Sequence, residues 1–174
     1  MLGRFQPFHN GHLALAQQIL AECDELIIGI GSAQFNFIEK DPFTAGERMA
    51  MIHNSLAHAG ADLNRCYIVP FPNDENNARW LAHIRSLMPP FHVVYSGNEF
   101  VQLLVSEQGS EIEVRQPRFV RMEEYNGTNI RQLMADGKPW KTLVPEAVAE
   151  IIEQVRGVER IQMISRSDSV PHKW

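Results

Sequence analysis

Glu25 to Gly31 reads Glu-Leu-Ile-Ile-Gly-Ile-Gly, a short isoleucine-rich run closed by glycine and with no polar alternation. A strand of this kind is apolar on both faces and must be covered on both, which is the situation inside a parallel sheet with helices on its two sides. The rest of the chain repeats the pattern. Thr44-Ala45-Gly46-Glu47 has capping-box spacing, Met49, Ile52 and Leu56 follow at helical intervals, and Gly60 is placed to stop the helix. Cys66 to Val69 is a second strand, Trp80, Leu81, Ile84 and Met88 mark a helix ended by Pro89-Pro90, and Phe91 to Tyr95 is a third strand. Phe100 to Val105 suits a short helix and Glu111 to Val114 a further strand, while from about residue 127 onward the pattern is mainly helical, with Pro145 opening one helix. Strands separated by whole helices need right-handed crossovers. The expected fold is therefore α/β, a Rossmann-like open parallel sheet flanked by helices, whose ligand lies beyond the carboxyl ends of the strands.

Composition narrows the function classes. The 174 residues suit one domain, the longest apolar run is far short of the ~20 residues of a membrane helix, and two cysteines, Cys23 and Cys66, exclude a disulfide scaffold. A net charge of −5 argues against a general nucleic-acid binder. A cytoplasmic domain without membrane or nucleic-acid partners is expected.

Two segments carry chemistry. Gly3-Arg4-Phe5-Gln6-Pro7-Phe8-His9-Asn10-Gly11-His12 precedes an apolar helix. Pro7 stiffens the turn, Gly11 lets a ligand come close to the backbone, and the amides at the helix start favour a phosphate. His9 and His12, three apart, reach toward one place, and Arg4 adds a permanent charge, a set that reads as polyphosphate recognition. Without a nearby carboxylate or cysteine the two histidines are a poor zinc set. Tyr125-Asn126-Gly127-Thr128-Asn129-Ile130-Arg131 opens a second helix with a capping side chain, a hydroxyl and an arginine.

The H-x-G-H pattern after G-R-x-Q-P resembles the nucleotidyltransferase superfamily. With Gly31-Ser32-Ala33-Gln34, Lys40-Asp41-Pro42-Phe43-Thr44-Ala45-Gly46-Glu47-Arg48, Asn77-Ala78-Arg79-Trp80 and Tyr95-Ser96-Gly97-Asn98, the chain is similar to the archaeal-type nicotinamide-nucleotide adenylyltransferases over nearly its whole length. The resemblance implies that His9, His12 and Arg131 serve catalysis. It places Gly3, Arg4, Phe5, Gly11, Gly97, Asn98, Tyr125, Asn126 and Thr128 around ATP, and Ser32, Lys40, Asn77 and Trp80 around nicotinamide mononucleotide (NMN). It further implies Mg²⁺ carried with ATP, NAD as product, and a homo-oligomer, commonly a hexamer. The physics agrees: a cationic pyridinium favours an aromatic face such as Trp80, and the amide of Asn77 suits a carboxamide. Rival readings are a sibling enzyme acting on another phosphorylated acceptor and a non-catalytic nucleotide sensor.

Three departures are visible. Asn126 stands where the family has serine. The stretch Pro72-Asn73-Asp74-Glu75 moves the family's acid by one position. Only Met1 and Leu2 precede Gly3, so the first strand is expected to be cut short, with an upstream start as the favoured explanation. Ser165 to Trp174 is polar, holds Pro171 and is expected either to fray or to make a contact that the sequence does not place.

Overall fold

The computed structural model describes residues 1–108, 111–118 and 123–166, and the expectation for the tail falls mostly on 167–174, outside them. Strands β1 (Leu2–Gly3), β2 (Leu26–Ile30) and β3 (Cys66–Pro70) form one parallel sheet in that order, and β4 (Val93–Tyr95) pairs in parallel with β5 (Glu113–Arg115). Seven helices among the described residues surround them: α1 (Asn10–Glu22), α2 (Ala45–His58), α3 (Trp80–Leu87), α4 (Glu99–Glu107), α5 (Gly127–Ala135), α6 (Glu146–Gln154) and α7 (Gly157–Arg166). The expected α/β class with parallel strands holds. The sheet, however, is hydrogen-bonded as three strands and two strands rather than as one. β1 spans only two residues and pairs with Gly29 and Ile30 alone, which leaves little edge for a further ladder.

β2 explains the layering. Leu26, Ile28 and Ile30 enter the main core with Phe8, Phe43, Met51, Ile52, Ile130 and Val148, whereas Ile27 turns to a smaller cluster of Phe71, Ile84 and Met88 on the other face. Gly29 shares that second face because nothing larger fits: a Cβ there would lie 2.4 Å from the Met88 methyl and 2.5 Å from Leu2. The both-faces reading of this strand is correct. On α2 the expected apolar face needs one change. Met49 is exposed, and Met51 and the charged Arg48 are buried instead.

α2 starts where the capping box put it. Thr44 Oγ1 accepts the Glu47 N–H at 3.2 Å, and Glu47 returns an oxygen to the Thr44 N–H at 2.8 Å. Arg160 of α7 then grips both Glu47 oxygens at 2.7 and 2.8 Å, donates to the Pro42 carbonyl, and lies 4.5 Å from the centre of the Phe37 ring. The C-terminal helices are thereby clasped to the loop that follows β2.

Candidate active site

The loop leaving β1 turns sharply. Phe5 has φ of +52°, a conformation that costs an L side chain energy unless its surroundings hold it. Its ring is buried against Phe8 and the edge of His12, so Phe5 supports the loop from below rather than lining a cleft. Gln6, also buried, behaves as an extra peptide unit. Its Nε2 donates to the Phe43 carbonyl at 2.9 Å and its Oε1 accepts the Phe43 N–H at 3.0 Å. The Gln6–Pro7 bond is cis.

His9 caps α1, and the two histidines make a reciprocal box. His9 Nδ1 accepts the His12 N–H at 3.3 Å, while His12 Nδ1 accepts the His9 N–H at 3.2 Å. The rings stack with centroids 3.5 Å apart. An Nδ1 that accepts must leave its proton on Nε2, so both imidazoles are fixed as neutral Nε2–H donors. Burial pushes the His9 pKa from 6.5 down to about 4, and burial together with neighbouring His9 holds His12 well below its usual value. At neutral pH the pair offers two hydrogen-bond donors without charge.

Gly11 has a packing role as well. A Cβ there would lie 3.0 Å from Tyr125 Cβ and 3.3 Å from His9 Nδ1, so the protein itself also approaches this backbone closely. Its absence lets the start of α1 meet the segment before α5, where the Tyr125 ring lies nearly parallel to that of His9 with centroids 6.5 Å apart.

At the start of α5, Asn126, which stands in the position of the family's serine, caps the helix. Its Oδ1 accepts the Thr128 N–H at 2.9 Å and the Asn129 N–H at 3.4 Å. One turn on, Arg131 donates to the Gln6 carbonyl at 2.8 Å and to Thr128 Oγ1 at 3.3 Å. Burial and the nearby Arg4 lower the pKa of this guanidinium, which nonetheless stays cationic. Arg4, Lys40, Thr128 and Arg131 line one cavity of about 460 Å³. Its far wall includes Ile161 and Ile164 of α7, which sequence reasoning missed because nothing local marks a helix as a pocket wall. Among the described residues the Arg4 guanidinium is held by contacts of 3.5 Å to the Lys40 carbonyl and to Asp41. Gly3 ends β1 and pairs with Ile30.

The residues expected around NMN, Lys40 apart, do not join that cavity. Ser32, buried and at φ of +54°, follows β2. Its N–H donates to Asn73 Oδ1 at 3.1 Å, and Asn73 Nδ2 donates to Ser32 Oγ at 3.1 Å. Asn73 thus occupies the position beside Ser32. Asp74 does not replace the family acid there: it caps the Asn76 N–H at 2.8 Å and pairs with Arg79 at 3.2 Å. Trp80 is half-buried beside Phe71, Ile84 and Met88. Asn77 is exposed, with its carbonyl accepting from Gln108 at 3.1 Å. Gly97 lies exposed after β4, and Asn98 spends its side-chain oxygen on the Phe100 N–H as the cap of α4. Gln6 and Asn73 are the functional candidates that sequence reasoning left unassigned, although Gln6 stood inside the quoted first motif.

Among the described residues, no group of three or more His, Cys, Asp or Glu side chains is placed to hold a metal. Among the described residues, Oδ1 of Asp41 is a buried acid oxygen without a hydrogen-bond partner, while Oδ2 of the same carboxylate lies 3.5 Å from Arg4.

A profile of the cytidylyltransferase-like family matches residues 1–133. The nicotinamide-nucleotide adenylyltransferase of Caldivirga maquilingensis is 52% identical over 174 residues, covering 99% of this chain and 97% of the relative. The chain belongs to the nicotinamide-nucleotide adenylyltransferase family. The enzyme of that name from Methanothrix thermoacetophila is 49% identical over 167 residues, covering 96% of this chain and 95% of its own. The fold of this family member also matches a solved structure, the bifunctional NMN adenylyltransferase/ADP ribose pyrophosphatase of Francisella tularensis complexed with AMP and a manganese ion. The TM-score is 0.77 at 22% identity, with 94% of this chain aligned to 50% of that one. This chain thus spans about half the length of the bifunctional protein.

Proposed function

We infer that the chain transfers the adenylyl group of ATP to NMN, giving NAD and pyrophosphate. The observation that carries the reading is the reciprocal His9–His12 box, two neutral Nε2–H donors at a helix start, with Arg131 bonded to the same loop through Gln6. An oxygen of the NMN phosphate forms the new bond to the α-phosphorus of ATP while the bond to the β-phosphate breaks in line and pyrophosphate leaves. The attacking oxygen is already anionic, so no general base is needed, and histidines of such low pKa are suited to hydrogen bonding rather than proton transfer. The residues instead position two polyanions and offset charge as it builds on the α-phosphoryl oxygens.

In this reading Arg4, His9, His12, Tyr125, Asn126, Thr128 and Arg131 serve the ATP phosphates, and Gly97 and Asn98 lie toward the adenosine. Lys40, Ser32, Asn77 and Trp80 serve NMN, with Trp80 facing the pyridinium. A Mg²⁺ carried with ATP would be held chiefly by the ATP phosphates and would neutralise part of their charge, beside a cleft lined by Arg4, Lys40, Thr128 and Arg131 with the carboxylate of Glu39 at its edge. The local cations offset an overall charge of −5 that would otherwise repel both substrates. A cytoplasmic homo-oligomer, a hexamer by its family, completes the proposal, and light scattering on the eluted protein checks the assembly.

The deciding experiment mixes purified chain, ATP and Mg²⁺ with NMN or with a pantetheine phosphate, following NAD through a coupled dehydrogenase and pyrophosphate directly. NAD and pyrophosphate in equal amounts with NMN alone is the expected result. Pyrophosphate with the other acceptor points to the sibling enzyme, and tight ATP binding without either product points to a sensor.

A further inference from the structure

Arg48 is fully buried, yet the mechanism above does not use it. Among the described residues no carboxylate pairs with its guanidinium. The group donates instead to four backbone carbonyls: Arg4 at 2.8 Å, Gly31 at 2.9 Å, Ser32 at 3.1 Å and Thr44 at 3.2 Å. These belong to three separate segments. Arg4 follows β1, Gly31 and Ser32 follow β2, and Thr44 caps α2. Two of the segments hold residues forced to positive φ, Phe5 and Ser32, which sit directly after or at the gripped carbonyls. A buried cation is costly to desolvate, and apolar replacements of a buried ion often stabilise a fold. The planar fork matches the carbonyls of two loops that Gln6 also ties together through the Phe43 backbone.

We propose that Arg48 is a positioning residue for adenylyl transfer, a single fork that sets the ATP loop after β1 and the acceptor loop after β2 at a fixed spacing. The inference rests on the assignment of Arg4 to ATP and Ser32 to NMN. In-line attack requires the attacking oxygen to be held about 3–3.5 Å from the α-phosphorus, and a misplacement of about 1 Å costs on the order of 10²-fold, so a shared brace acts on kcat and on both KM values together.

The test compares Arg48→Lys with Ile52→Val, a control buried one turn further along α2 that carries no polar side-chain atom to hold either loop. Lysine keeps the charge but cannot span four carbonyls. At a temperature well below either Tm, Arg48→Lys should lower kcat on the order of 10²-fold and raise KM for both ATP and NMN. Ile52→Val should lower Tm while leaving all three constants within about twofold. Unchanged constants in Arg48→Lys despite a lowered Tm overturn the proposal, as does a loss confined to one substrate. Should Arg48→Lys not fold, Thr44→Ala decides. It loosens the cap on which the fork is seated and should raise both KM values together by a smaller factor, and constants equal to wild type overturn the brace. His12→Ala is run alongside: full turnover there removes the site assignment itself, whereas an inactive His12→Ala beside a kinetically intact Arg48→Lys removes only the brace.

Discussion

The imidazoles of His9 and His12 lie face to face at 3.5 Å, each Nδ1 holding the backbone N–H of the other residue. Neither ring can take a proton on Nδ1 without losing that bond, so the pair is a neutral donor unit over the whole physiological range. His12→Ala should lower kcat by on the order of 10²–10⁴ with a native circular-dichroism spectrum. Turnover close to wild type would take His12 out of the mechanism.

The same burial makes the fold acid-sensitive in a defined window. His9 has its folded pKa depressed from 6.5 to about 4, so between those values the unfolded chain binds more protons than the folded one. Its contribution is fully present above pH 6.5 and is lost as pH falls toward 4. Urea melts across pH 4 to 7 should show this slope, and it should be shallower in His9→Asn; equal slopes would mean that His9 is not buried as a neutral ring.

Trp80 offers an aromatic face worth about 1–2 kcal/mol to a cationic ring, or roughly 5–30-fold in affinity. Trp80→Ala should therefore raise KM for NMN by that factor and leave KM for ATP near wild type. Equal losses for both substrates would assign Trp80 to packing with Phe71 and Met88.

Gln6 binds the Phe43 backbone in both directions from a fully packed position. Gln6→Leu strands one buried N–H and one buried carbonyl, at a cost of about 2–5 kcal/mol. Tm should fall by several degrees or more, and calorimetry showing no change would mean that water replaces the amide.

The Arg160–Glu47 clasp gives a further pH signature. Burial opposes ionisation of Glu47, but the Arg160 fork and the Thr44 N–H outweigh it and hold its pKa below the ordinary 4.5. Glu47→Gln should cost about 1–3 kcal/mol at pH 7. The difference from wild type should be fully present above pH 4.5 and disappear as pH falls through the lower folded value. A difference constant from pH 3 to 7 would separate the loss from the ionised pair.

Much of this was legible in the residues. The capping box at Thr44–Glu47, the doubly apolar β2 and the two phosphate motifs each depend on neighbours a few positions away, and local spacing displays them. Arg48 was not legible, because a buried arginine bonded to carbonyls from three segments looks in sequence like one more charge on a helix. That Gly11 also makes room for Tyr125, more than a hundred positions later, is not visible in local spacing. Asn73 and Asp74 show the same limit at short range, since which of two adjacent polar residues faces Ser32 is decided by how the loop after β3 turns.

Gln6 touches Phe43 through its side chain and receives Arg131 at its carbonyl. One residue near the front of the chain therefore waits for partners from its first third and from its last third. On a ribosome, β2, β3 and the helices between them can close upon one another well before Arg131 has emerged, but the phosphate loop cannot be finished. Catalytic competence is thus the last property the nascent chain acquires, and fragments ending before α5 are expected to fold in part without gaining a working site.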